Sequence, residues 1–166
     1  MVAVRLAIML SRWLALSTLV VLFDQISKLL IVNKFTYLES VTVLSTFDLA
    51  RLHNAGAAFS FLSEAGGMQR WLFTAIAIIA SVSITLLLKK HAQEWLFSLA
   101  LSLILGGALG NLIDRFTYGY VIDFLLFHWN EHYFPAFNLA DSAITCGAGL
   151  MIWESFMEKK NGSAVS

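Results

Sequence analysis

The sequence predicts an all-α polytopic membrane protein with four transmembrane helices, a small extracytoplasmic β element and an interfacial segment. Of its 166 residues, 58% are hydrophobic and 13% are charged. The mean hydropathy of +0.74 is higher than that of ordinary soluble domains. Four apolar stretches each approach the roughly 20 residues that a helix needs to cross a bilayer. We therefore expect a single membrane-embedded domain over residues 1–166.

The transmembrane helices are predicted at approximately 13–32, 71–88, 95–113 and 138–157. The first could be read as a cleavable signal peptide, because Arg5 and Arg12 precede an apolar stretch. No small-residue cleavage site with a polar continuation follows it, and three further helices are predicted. We therefore expect the first helix to be retained.

The basic residues around the shorter connections predict the orientation in the membrane. With four crossings, three basic clusters lie on one side, which the positive-inside rule makes cytoplasmic. Both termini should then be cytoplasmic in a multi-pass protein, and the longer connections, about 33–70 and 114–137, should face outward. The clusters are Arg5 with Arg12, Lys89 with Lys90, and Lys159 with Lys160.

The two longer connections carry different patterns. Residues Val41 to Phe47 are rich in β-branched and aromatic residues, which predicts a short strand or hairpin. Gly66 and Gly67 predict a turn before the second helix. The second connection is crowded with aromatic residues from Phe116 to Phe137, which favours a segment lying in the membrane interface.

Two aspartates, Asp123 and Asp141, lie in strongly apolar sequence, where an ionisable group is costly and often functional. The predicted topology places both at the outer rim of the membrane. Neighbouring carboxyl groups do not both ionise easily, so one can hold a proton while the other acts as a base. Such a pair can activate water and polarise an amide carbonyl.

Other interpretations of these aspartates stay open from the residues alone. Asp141 at the start of a helix could be a cap, and Asp123 could form an interfacial ion pair. Intramembrane charges also occur in transporters, and a factor that only binds lipidated proteins is a further alternative. Four helices without repeated halves fit a carrier poorly.

Several other classes of function are disfavoured. The net charge of zero and the absence of a basic patch interleaved with aromatic residues disfavour a nucleic-acid partner, and none is expected. The single cysteine, Cys146, excludes an internal disulfide. His128 and His132 are four residues apart, but no third ligand follows at helical spacing, so no metal is expected.

Five motifs in order resemble those of the bacterial lipoprotein signal peptidases, the signal peptidase II family. The resemblance covers nearly the whole chain. The motifs are Asp24-Gln25-Ile26-Ser27-Lys28, Asn54-Ala55-Gly56-Ala57-Ala58-Phe59, Gly106-Gly107-Ala108-Leu109-Gly110-Asn111-Leu112-Ile113-Asp114-Arg115, Val121-Ile122-Asp123-Phe124 and Phe137-Asn138-Leu139-Ala140-Asp141.

The resemblance implies an aspartic endopeptidase of the bacterial cytoplasmic (inner) membrane with its active site near the extracytoplasmic face. Such enzymes remove signal peptides from prolipoproteins by cutting before the diacylglyceryl-modified cysteine. The expected partners are these precursors and membrane lipids, with no cofactor, and we expect a monomer. Asp123 and Asp141 would be catalytic. The residues implied to bind substrate or support the site are Asn54, Gly107, Asn111, Asp114, Arg115, Asn138 and Ala140.

The motif neighbours have both functional and structural interpretations. Asn111 and Asn138 could orient the aspartates or bind the substrate backbone, or they could join helices or cap one. Asn54 could sit beside a substrate strand or in a simple turn. Arg115 could hold a carboxylate or a lipid phosphate, or extend to the interface. Asp24 and Lys28, one helical turn apart, are expected to form a mainly structural pair outside the site.

Overall fold

The computed structural model describes residues 2–56 and 68–162, and within them it has four helices and four strands. The predicted turn at Gly66 and Gly67 and the end of the Asn54 motif lie outside these residues. In chain order the elements are α1 (Val2–Lys34), β1 (Ser40–Leu44), β2 (Phe47–Asn54), α2 (Met68–His91), α3 (Trp95–Thr117), β3 (Val121–Trp129), β4 (His132–Tyr133) and α4 (Leu139–Gly162).

Three of the helices, α1, α2 and α3, are long and apolar enough to cross a membrane. They expose large apolar side chains such as Phe23 and Ile79, at 63% and 66% of their surface, and lipid would accommodate this surface. The helix α4 has 24 residues but is interrupted by charged residues such as Glu154, so composition alone does not make it a fourth crossing.

The first helix begins at Val2, eleven residues before the predicted start at Trp13. Arginine is a good helix former, so the helix can extend past Arg12 and Arg5, before the apolar stretch begins. At 33 residues, α1 is about 50 Å long, which exceeds a hydrocarbon core of roughly 30 Å. The Trp13 indole N–H donates to the carbonyl of Ala92 at 2.9 Å, tying α1 to the turn between α2 and α3.

Small residues on α3 allow close packing against both α1 and α4. A Cβ on Gly106 would lie 2.6 Å from Val20 Cβ on α1, and a Cβ on Gly107 would collide with the Ala140 carbonyl on α4. The hydroxyl of Ser17 also donates to the Ser102 carbonyl at 2.9 Å. The helix α3 therefore lies between α1 and α4, in the manner of small-residue contacts in membranes.

The strands form one antiparallel sheet in the order β1-β2-β3-β4, so the predicted hairpin and the small β element of a mostly helical chain are confirmed. The second connection was predicted only as an interfacial segment, yet it supplies β3 and β4. Its aromatic residues are also strong strand formers. Their partner strand, β2, comes from a distant part of the chain, so the local pattern did not reveal the pairing.

The sheet packs at one end of the helices, here called the sheet end, where α1 and α3 finish and α4 begins. Ile122 and Phe124 of β3 pack with Ile31 of α1 in a buried cluster. The Arg51 guanidinium donates to the Phe35 carbonyl at 2.9 Å, next to the last turn of α1, where a cation is favourable. The strands near the aspartates are thus held firmly against α1.

Candidate active site

Asp141 lies in the first turn of α4 and forms a reciprocal cap with Asn138. The Asn138 side-chain oxygen accepts the Asp141 backbone N–H at 2.9 Å, and Asp141 Oδ2 accepts the Asn138 backbone N–H at 3.2 Å. This is the capping-box pattern, here made by Asn and Asp. The cap fixes the carboxyl group at the positive end of the α4 helix dipole.

Asp123 lies on β3, where a β-bulge in β2 brings Asn54 to the same face. The pairing shifts from Leu49 opposite Leu125 to Leu52 opposite Asp123, so β2 contains one extra residue. Because side chains alternate along a strand, this extra residue turns Asn54 toward Asp123. The Asn54 amide donates to Asp123 Oδ2 at 3.0 Å.

Two further amides join the carboxyl groups into one network. The Asn138 amide donates to Asp123 Oδ1 at 2.7 Å, and the Asn111 amide donates to Asp141 Oδ1 at 2.8 Å. The amides are themselves linked, since Asn138 Nδ2 lies 3.2 Å from Asn111 Oδ1. Asn138 therefore contacts both aspartates, one through its side-chain N–H and the other through its cap.

The two carboxyl groups have different surroundings. Asp123 is 2% exposed, whereas Asp141 is only partly buried. Burial, followed by the charge of Asp141, raises the pKa of Asp123 to about 7. Burial removes the water that would stabilise the anion, and a neighbouring negative charge disfavours it further. The raised pKa suits Asp123 to hold a proton near neutral pH.

A buried ion cluster supports this network from the side of α1. The Lys28 ammonium lies 2.8 Å from Asp24 Oδ2 and 2.9 Å from Asp114 Oδ2, and Lys28 is 1% exposed. The Gln25 amide donates to Asp114 Oδ1 at 2.9 Å, and the Ile122 backbone N–H to Asp114 Oδ2 at 3.0 Å. Buried charges are tolerated only with such complete hydrogen bonding.

The start of α4 fits closely against α1 and α3. The Ala140 backbone N–H donates to Asp24 Oδ1 at 3.0 Å, so a residue of the first helix helps to cap the last one. A Cβ on Gly107 would collide with the Ala140 carbonyl, and a Cβ on Gly110 would lie 2.5 Å from Asp24 Oδ2. Larger residues at either position would push α4, and Asp141 with it, out of place.

Comparison with known proteins decides the family. A family model described as signal peptidase (SPase) II matches residues 16–157. The lipoprotein signal peptidases of Burkholderia vietnamiensis and Burkholderia multivorans are 57% and 56% identical over 145 residues, which cover 87% of this chain and 87% of each relative. The chain belongs to the signal peptidase II family.

Solved structures agree with this assignment. A bacterial membrane enzyme determined by the in meso method at 2.3 Å resolution has a TM-score of 0.81 and 31% identity, covering 91% of each chain. A second, at 1.9 Å, has a TM-score of 0.76 and 32% identity, covering 87% of this chain and 92% of that one. The signal peptidase II resemblance in the sequence is confirmed, and the family favours a peptidase over a transporter.

In this signal peptidase II, most of the residues singled out in the sequence converge at the sheet end. Asn54, Asn111 and Asn138 contact the two aspartates directly, and Asp114 and Ala140 contact the Lys28–Asp24 pair. Arg115 follows Asp114 on α3, and its guanidinium donates to the Asn111 carbonyl at 3.2 Å. The guanidinium carbon also lies 5.7 Å from the centre of the Phe73 ring.

Sequence reasoning missed some partners of this signal peptidase II site. Lys28 was assigned only to Asp24, yet it also binds Asn111 and Asp114. Gln25 lies in the first of the five motifs, and the sequence predicted no role for it, although its amide donates to Asp114. The signal available was the placement of polar residues in an apolar helix, since such residues need partners. His128, considered for a metal, instead lies 3.4 Å from Asp48.

Proposed function

We propose that this chain is an aspartic endopeptidase that removes signal peptides from prolipoproteins, cutting before the diacylglyceryl-modified cysteine. The family and the names of its relatives support the substrate class. The observation that carries the aspartic mechanism is the shared amide network of Asp123 and Asp141, since Asn138 contacts both carboxyl groups. Asn54, Asn111 and Asn138 position the pair, and no metal or cofactor takes part.

The hydrolysis follows from the different surroundings of the two carboxyl groups. Asp141, ionised at the helix start, removes a proton from water, and the resulting hydroxide attacks the amide carbonyl carbon. Asp123 gives its proton to the carbonyl oxygen, so the tetrahedral intermediate is a neutral diol. The protonated Asp141 then passes its proton to the leaving nitrogen as the C–N bond breaks, and Asp123 recovers a proton from the diol.

The membrane arrangement proposed here has four crossings, with α4 as the fourth, and both termini in the cytoplasm. Lys89, Lys90 and His91 lie in the last turn of α2, at the end opposite the sheet, which supports a cytoplasmic location for that end. The sheet end and the Asp123–Asp141 pair, here called the dyad, then lie near the extracytoplasmic face of the inner membrane. The substrate enters sideways from the lipid, with its acyl chains still in the bilayer, and a monomer suffices.

The test is cleavage of a purified prolipoprotein by the purified chain in detergent or lipid vesicles. We expect the diacylglyceryl-modified precursor to be cut and the product to begin with the modified cysteine, as read by mass spectrometry. The same precursor without the lipid is the matched control and should be cut at least ten times more slowly, about 1.4 kcal/mol of lost binding energy. Equal cleavage of both would contradict the substrate assignment.

The pH dependence gives an independent prediction. Asp123 must be protonated to donate, and its pKa is raised to about 7. As the pH rises above this value the proton is lost, so kcat/KM should fall about tenfold per pH unit. The measured midpoint belongs to the coupled pair. A profile measured with the diacylglyceryl-modified precursor that stays flat well above neutral pH would show that Asp123 is not the acid.

A further inference from the structure

Lys28 belongs to the buried ion cluster, yet one of its three bonds leads to the dyad. An ammonium group has three N–H donors and no acceptor. Two of the donors meet the carboxylates of Asp24 and Asp114, and the third meets Asn111 Oδ1 at 2.9 Å. All three are thereby used in a site that is closed to solvent.

This third bond helps to determine which way the Asn111 amide points. Because Lys28 can only donate, the side-chain oxygen of Asn111 must face it, and Asn138 Nδ2 donates to that same oxygen. The Asn111 N–H2 group is therefore left to face Asp141, where it donates to Oδ1 at 2.8 Å. Turning the amide over would place its N–H2 group against an ammonium and its oxygen against a carboxylate.

A fixed donor at Asp141 affects the proton of the dyad. Asp141 Oδ2 already accepts the Asn138 backbone N–H, so both of its oxygens accept N–H bonds, and such bonds favour the ionised form. Other charged groups around the dyad are Asp24 on α1, Asp114 and Arg115 on α3, and Asp123 on β3. Lys28 is the cation linked to Asp141 through the Asn111 side-chain amide, whereas Asp123 is linked to it through Asn138.

The geometry points to Lys28 as the positioning residue that assigns the roles of the two aspartates. By orienting the Asn111 amide, it keeps Asp141 ionised as the base and leaves the shared proton on Asp123. This inference rests on the proposed function for its meaning in catalysis. Its physical content, the ionisation of Asp141, can be measured without any substrate.

The experiment is an infrared titration of the purified full-length protein. An Asp123→Asn background leaves Asp141 as the only dyad carboxyl, and its carbonyl stretch is assigned by its loss in Asp141→Asn. Lys28→Met should raise the titration midpoint of Asp141 by about one pH unit or more. Lys28→Arg, which keeps a cationic donor, should restore most of the change. Lys34→Met removes an exposed cation of the same helix and should leave the midpoint in place.

A double-mutant cycle separates the effect that Lys28 has through the Asn111 amide from its direct charge attraction to Asp141. In an Asn111→Ala background, Lys28→Met should shift the midpoint by less than half as much. An equal shift with and without Asn111, or no shift on loss of Lys28, would overturn the proposal. Loss of prolipoprotein cleavage in the parent protein would instead refute the proposed function and would leave this titration unaffected.

Lys28→Met leaves Asp24 and Asp114 without their cation, which can prevent folding. Asn111→Asp is the variant to use in that case. Lys28 then keeps an oxygen acceptor at position 111, while the N–H donor that faces Asp141 is replaced by an oxygen. Two carboxyl oxygens in contact must share a proton, so the Asp141 midpoint should again rise. An unchanged midpoint in this variant would overturn the proposal as well.

Discussion

Replacing Asp141 or Asp123 with asparagine is expected to lower kcat for prolipoprotein cleavage on the order of 10⁴-fold, the upper range for loss of a general acid or base. An amide cannot take a proton from water, the role proposed for Asp141, nor supply an acidic proton, the role proposed for Asp123. Because the two groups act in one proton cycle, the double variant should be hardly slower than either single one. The measurement is single-turnover cleavage of the diacylglyceryl-modified precursor.

The same substitutions should leave the protein folded, with a modest loss of stability. Each aspartate accepts N–H bonds at both oxygens, and asparagine keeps only one acceptor, so about 0.5–1.5 kcal/mol is lost per variant. Asp48→Asn is the matched control, because Asp48 is also a buried aspartate of the sheet but pairs with His128. Full activity in both dyad variants would remove the basis for the mechanism.

Replacing Asn138 with alanine is expected to damage catalysis and stability together. The change removes the donor to Asp123 and the side-chain cap of α4. Loss of the cap should cost about 1 kcal/mol of unfolding free energy. Asp123 keeps only its bond to Asn54, and Asp141 is no longer tied to Asn138 through the side-chain cap. We therefore expect kcat to fall on the order of 10²-fold, as for other losses of positioning. Thermal unfolding in detergent and the cleavage assay measure the two effects separately.

Asn138→Asp separates the two roles of this side chain. Aspartate can still accept the Asp141 backbone N–H and cap α4, but it cannot donate to Asp123 and adds a negative charge beside it. Stability should therefore stay closer to that of the parent protein than in the alanine variant, while activity falls at least as far. Normal activity in Asn138→Asp would show that the bond to Asp123 at 2.7 Å is not needed.

The sequence predicted the features that depend on local pattern. Apolar stretches located the three long helices, and the β-branched run at Val41 located a hairpin. For Asp141, capping and catalysis were weighed as alternatives, but the structure joins it to Asn138 in a cap that also holds its carboxyl group beside the amide network. A local signal for a cap therefore does not argue against a catalytic role.

Features that depend on distant contacts could not be predicted. The bulge that turns Asn54 toward Asp123 requires knowing that β2 pairs with β3, about 70 residues later in the chain. The third bond of Lys28 depends on how closely α3 approaches α1, which the glycines on α3 allow. The apolar sequence around Lys28 showed that its ammonium group needs a partner, but it did not show whether Asp24 or Asn111 is that partner.

The spacing of Asp24 and Lys28 has a consequence for biogenesis. The two residues are one turn apart on α1 and form an ion pair within that helix, so α1 can enter the bilayer with these two charges already paired. Asp24 meets Ala140, 116 positions later, only when the last helix arrives. Until α4 is made, a nascent chain therefore lacks Asp141 beside Asp123, and under the proposed mechanism it cannot cleave neighbouring precursors.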